Sequence, residues 1–172
     1  MTGPMIFSGT ALVIVFLASG LGKLRRPAEF AGSIRAMRLL PAAAAPAAAI
    51  LIIAGELAAA LALLAGLTVD ATPLVYAFAL SAALCVVFSL AIITVIRRGA
   101  SVACACFGRR ASAFSARHVV RNILLAALAI AGLLGADTGA ASWTPETAIT
   151  IAAGAALSLL VILMDDLADL FA

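Results

Sequence analysis

Charged side chains make up only 11% of this 172-residue chain, where a soluble domain carries about 25%. A soluble globular fold is thereby excluded, because 66% of the residues are apolar and too few ionic groups remain to cover a surface. Histidine occurs once and cysteine three times. Cys-x-x-Cys, paired histidines and a methionine cluster are all missing, so no complete soft-metal ligand set is legible. No nucleic-acid partner is expected. What remains able to do covalent chemistry is a pair of thiols one residue apart, in Cys104-Ala105-Cys106-Phe107-Gly108.

Five apolar runs are long enough to cross about 30 Å of hydrocarbon as helices, at residues 5–22, 44–67, 73–96, 119–136 and 146–164. The chain is therefore expected to be an all-α, polytopic membrane helical bundle of about five transmembrane helices, a four-helix core plus one. It forms a single integral membrane domain over residues 1–172. The first run lacks the basic segment that opens a signal peptide, since no Lys or Arg precedes Lys23.

All eleven basic residues fall in two connections. Lys23, Arg25, Arg26, Arg35 and Arg38 follow the first run. Arg97, Arg98, Arg109, Arg110, Arg117 and Arg121 follow the third, the last just inside the fourth. With five spans both connections lie on one side, which the positive-inside rule makes cytoplasmic. The expected setting is the bacterial cytoplasmic (inner) membrane, with the N-terminus outside and the Cys-x-Cys loop (97–118) and C-terminus cytoplasmic.

Residues 27–40 read as a short interfacial helix. Pro27 suits a first helical position, and Phe30, Ile34 and Met37 share an apolar face while Arg35 and Arg38 reach headgroups. Small residues recur at four-residue spacing, as Ala54/Ala58/Ala62 and Gly154/Ser158. That spacing lets helices approach closely in lipid, although alanine is abundant throughout. The acidic tail at Asp165, Asp166 and Asp169 is on the basic side and reads as solvated.

Three chemistries suit the thiol pair: cycling between dithiol and disulfide, Cu(I) binding by two thiolates (metal ligands Cys104 and Cys106), or a plain structural role. A disulfide closing so small a ring is strained and labile, which suits exchange rather than stapling. A structural disulfide is disfavoured in reducing cytoplasm. Arg109, Arg110 and Arg117 lie near in sequence, and a positive field raises the thiolate fraction. Gly108 allows a tight turn directly after the pair. These features favour redox work, with Cys104 and Cys106 as the catalytic residues.

Supporting residues are fewer. Glu56 sits inside the second apolar run, where an uncompensated carboxylate costs several kcal/mol. It either carries protons or walls a polar pocket, or it is the buried partner of Lys23 or Arg121. His118 reads as a capping or headgroup contact, with proton acceptance from a thiol as the second reading. Asn122 is expected to hydrogen-bond a neighbouring helix. Phe107 and Phe114 read as interfacial anchors, with stacking on a quinone ring as the alternative. Cys85, mid-span, reads as packing.

Several of these elements together resemble the MauE/DoxX-like family of redox-associated bacterial membrane proteins. They are Gly22-Lys23-Leu24 ending the first run, Gly55-Glu56 followed by Leu63 and Gly66, Cys104-Ala105-Cys106-Phe107-Gly108, and Arg121-Asn122. The resemblance covers roughly residues 7–130, and Cys-x-Cys-Phe-Gly with the downstream Arg-Asn is its most specific part. It implies a small helical bundle tied to thiol–disulfide chemistry, serving a disulfide-rich exported partner alongside a thioredoxin-like or other thiol oxidoreductase protein. A quinone is the candidate electron acceptor. The alternative function is a non-enzymatic membrane subunit that docks a soluble oxidoreductase, or a Cu(I)-binding membrane protein.

Overall fold

The computed structural model describes residues 2–69, 71–100, 103–104, 112–113, 115–136 and 144–169, with the backbone alone at 103–104, 112–113 and 165–169. Six helices follow in order: α1 (Gly3–Arg25), α2 (Pro27–Met37), α3 (Ala45–Thr68), α4 (Leu74–Arg97), α5 (Ala116–Leu134) and α6 (Pro145–Asp169). All but α2 are long and apolar enough to cross a membrane. Many large apolar side chains point outward, including Leu51, Ile50, Tyr76 and Ile149, each at least 66% exposed. Such a surface has lipid as its natural solvent, so this is a multi-pass membrane protein.

The expected spans agree with these helices to within a few residues. Helix α1 continues past the end of the first apolar run at residue 22 to Arg25. Helix α5 begins at Ala116, three residues before the apolar run, because Ser115 and His118 cap it reciprocally. The interfacial helix stops at Met37 rather than 40. Arg38 adopts the left-handed conformation (φ 51°) that terminates helices. Pro41 then precedes a single 3-10 turn at Ala42–Ala44 leading into α3.

Helices α1, α3, α4 and α5 make the four-helix core, and α6 packs chiefly on α1. Phe78, Met5, Leu12, Leu63 and Leu74 are buried at its centre. Helix α2 lies against the start of α3, where Phe30, Ala31 and Ile34 meet Ala45, Ala49 and Ile53. Apolar burial gives little drive between helices in lipid, so close contact and dispersion must hold them together. On α3 the close-packing face is not the expected one. Ala54 and Ala58 face outward, and Ala45, Ala49, Ala59, Ala60 and Gly66 turn inward. The outward stripe reflects alanine abundance, because the buried face is set by Glu56 turning inward from lipid.

On α6 the small-residue reading holds. A Cβ at Gly154 would stand 2.7 Å from the Phe7 carbonyl oxygen and 3.2 Å from the Thr10 Cβ on α1. Only glycine permits that backbone approach. Gly154→Leu is therefore expected to raise amide hydrogen exchange along α6 while α3 and α4 keep their protection. Unchanged exchange in α6 would show that the close approach is not what holds it.

The connection between α4 and α5 contains structure that no hydrophobic pattern signals. Two short strands, β1 (Ala103–Cys104) and β2 (Ser112–Ala113), pair antiparallel with Ala103 opposite Ala113 and Cys104 opposite Ser112. Strand β1 runs beside α2. The fold stays all-α in class, with this minimal strand pair beside α2.

Candidate functional site

Lys23, in the last turn of α1, and Glu56, halfway along α3, form a buried ion pair with both side chains about 2% exposed. Ser19, one turn before Lys23, ties them together. Its Oγ accepts from Lys23 Nζ at 2.9 Å and donates to the Glu56 carboxylate at 3.2–3.3 Å. The spacing explains the motif: residues four apart share a helix face, so Ser19 and Lys23 both look at α3. Of the two partners weighed for Glu56, Lys23 is the bonded one. A buried ion pair with its remaining hydrogen-bonding positions served is the form in which charges survive away from water.

The ammonium also lies 5.1 Å from the centroid of Phe30 on α2 and 4.9 Å from that of Phe88 on α4. Rings so placed attract a cation by about 0.5–2 kcal/mol each, most when it is desolvated. Four elements therefore converge on Lys23. Sequence reading missed Ser19, Phe30 in this role and Phe88. The only available signal was the Ser-x-x-x-Lys spacing on an otherwise apolar helix.

These groups wall a partly open chamber of about 290 Å³ bordered by α1, α2, α3, α4 and α5. Most of its lining is apolar, with Phe16, Ile52, Ile92 and Leu125 among the walls and Ile34 and Met37 contributed by α2. Arg121 and Asn122, in the first turns of α5, are buried at 5% and 7% exposure and line it too. So does the fully buried Cys85, which packs in the core as expected and also borders this space.

The expected hydrogen bond from Asn122 to a neighbouring helix is not made. Among the described residues its amide has no hydrogen-bond partner, because the side chain looks into the chamber rather than across a helix contact. His118 is a cap: its Nδ1 accepts from the Ser115 backbone N–H at 3.3 Å and lies 3.2 Å from Ser115 Oγ. That position fixes the start of α5 and with it the direction of Arg121 and Asn122.

Cys104 closes strand β1, and its backbone lies beside α2. Cys106, Phe107, Gly108, Arg109 and Arg110, as well as Phe114, lie outside the described residues. The C-terminal end of α2 is fastened to that of α4 by Arg98 Nη1, which donates to the Arg38 carbonyl oxygen at 3.3 Å. Strand β1 with Cys104, α2 and the Lys23 end of α1 thus share one end of the bundle. Among the described residues no three His, Cys, Asp or Glu side chains converge as a metal site would require.

The comparisons bear on the same residues. A family model described as methylamine utilisation protein MauE matches residues 1–135, which include Lys23, Glu56, both loop cysteines and Arg121-Asn122. The methylamine utilization protein MauE of Paracoccus denitrificans is 36% identical over 152 residues, covering 87% of this chain and 78% of that protein. No solved structure matches significantly. A match over most of the chain, together with a relative aligned along most of its own length, makes this protein a member of the MauE family.

Proposed function

We propose that this chain is a membrane thiol–disulfide redox protein working through Cys104 and Cys106, and that it supports the maturation of a partner protein in methylamine utilisation. The observation that carries the reading is the β1/β2 pairing. It pairs Cys104 with Ser112 and sets Cys104 beside α2, which packs at the Lys23 end of α1. The printed name of the relative from Paracoccus denitrificans supports the methylamine context.

The chemistry is an exchange. A thiolate of the partner attacks one sulfur of the Cys104–Cys106 disulfide, and the other sulfur leaves as a thiolate and takes up a proton. The partner's second thiol then attacks the mixed disulfide. The partner gains a disulfide, and the pair becomes two thiols. The partner is a thioredoxin-like or other thiol oxidoreductase. The two basic connections, read by the positive-inside rule, support a thiol pair on the cytoplasmic side of the inner membrane and an outer N-terminus.

Thiol labelling tests this. With a membrane-impermeant maleimide, inverted vesicles are expected to show a mass gain of two labels only after reduction. Cys85 stays unlabelled because it is 1% exposed. Two labels without reduction in freshly prepared membranes would sink the redox reading. Labelling in intact cells would reverse the orientation.

A further inference from the structure

We infer that the chamber between α1, α2, α3, α4 and α5 is a binding site for the ring of a lipid-soluble quinone, held by the amide of Asn122. Three observations carry this. The first is Asn122 itself. It is 93% buried by its 7% exposure, it lines the chamber, and among the described residues its amide makes no hydrogen bond. Among the described residues no fully buried side-chain nitrogen or oxygen lacks a partner, so this amide reaches the free space of the chamber and is open to a ligand there.

The second is the chamber's size and walls. Its roughly 290 Å³ lies just below the range of about 300–1,000 Å³ for drug-sized small-molecule sites. That holds a single ring system. Mostly apolar walls with a few placed polar groups are what such a ligand requires. The third is charge. Lys23 is already neutralised by Glu56 and held by Ser19, and Arg121, the other cation of the lining, is not free either. The pair therefore does not call for an anionic headgroup, and a neutral ligand with carbonyl oxygens fits.

The amide suits both forms of such a ring. Its N–H donates to the quinone carbonyl, and its C=O accepts from the hydroxyl of the reduced ring. The inference rests on the proposed redox role in one respect: it names the acceptor that the thiol pair needs. Two thiols of Cys104 and Cys106 lose two electrons and two protons as the S–S bond forms. The quinone takes up both electrons and both protons and becomes a hydroquinone.

The test uses the full chain in quinone-free nanodiscs, with decyl-substituted benzoquinone as the probe and decylbenzene as the control. Saturable binding of the benzoquinone and none of decylbenzene is expected. Asn122→Leu is expected to weaken binding by about tenfold, with the melting temperature of the ligand-free protein unchanged or raised. Ala48→Phe, which adds bulk on the α3 wall of the chamber, is expected to abolish binding. Equal binding of decylbenzene would overturn the assignment, since the chamber would then accept any apolar chain. So would a lower melting temperature in Asn122→Leu, which would make the amide structural.

Thiol labelling after quinone addition separates the two ideas. Binding lost in both variants, with no quinone-driven loss of labelling in the wild type, keeps the site and ends the redox reading. Equal loss of labelling in wild type and both variants keeps the redox reading and ends the site.

Discussion

Lys23→Met and Glu56→Leu are each expected to destabilise the protein by about 3–5 kcal/mol, and the double substitution by less than either alone. The reason lies in what each single change leaves behind. Glu56→Leu strands an ammonium whose side chain is 2% exposed, and Lys23→Met strands a carboxylate in the same place. Removing both leaves an apolar contact in apolar surroundings. Ser19→Ala is the milder control. It removes one hydroxyl that bonds both partners, and about 1 kcal/mol is expected. Denaturant unfolding in mixed micelles, arranged as a double-mutant cycle, reads the coupling directly. Additive single effects would show that the two charges do not stabilise one another. The same set of variants also asks whether the pair has work beyond folding. If the double variant recovers stability and loses thiol exchange, the charges act in the chemistry. If it recovers both, the pair is a fastening between α1 and α3.

What the sequence made legible follows from where the physics is local. Five spans were readable because hydrocarbon thickness imposes a length and lipid imposes an apolar composition, and both are visible in an unbroken run. The interfacial helix was readable because Pro27, Phe30, Ile34 and Arg35 carry start, face and exposure within eleven residues. The need of Glu56 for a partner was readable from cost alone, but not which cation met it, since Lys23 and Arg121 are both in reach of the same interior. Ser19 and Phe88 were not readable. Their role depends on helix rotation and crossing, which residues far apart in sequence decide. The chamber is the extreme case. It is a gap between five elements, and no segment encodes a gap. Asn122 illustrates the limit from the other side. Sequence reasoning assigned its amide a helix partner on the rule that buried polar groups are satisfied. The structure turns it to the chamber, where the amide is open to a ligand instead of a helix.

The other large effect comes from the smallest possible change, Gly132→Ala. Gly132 on α5 packs directly over the ring of Phe78 on α4. A Cβ there would lie 2.9 Å from Phe78 Cδ1 and closer still to Cε1 and Cζ. Phe78 is fully buried, so its ring has no free volume to enter. The overlap must be relieved by moving α5 away from α4, at an expected cost of about 1–3 kcal/mol. Phe78→Leu alone is expected to cost stability through the space it leaves. Combined with Gly132→Ala it is expected to recover most of that loss, because the new methyl occupies part of the vacated volume. The consequence reaches the site. Asn122 stands ten residues earlier on the same helix, about 15 Å along its axis. A tilt of α5 at Gly132 changes where Arg121 and Asn122 face. Gly132→Ala is thus expected to weaken benzoquinone binding as well as lower the melting temperature, and the double variant to restore both together. Restored stability with binding still lost would mean that the α4–α5 spacing, rather than the integrity of the fold, sets the chamber. Unaltered stability in Gly132→Ala would show that α5 shifts freely and that the contact with Phe78 does not fix its position.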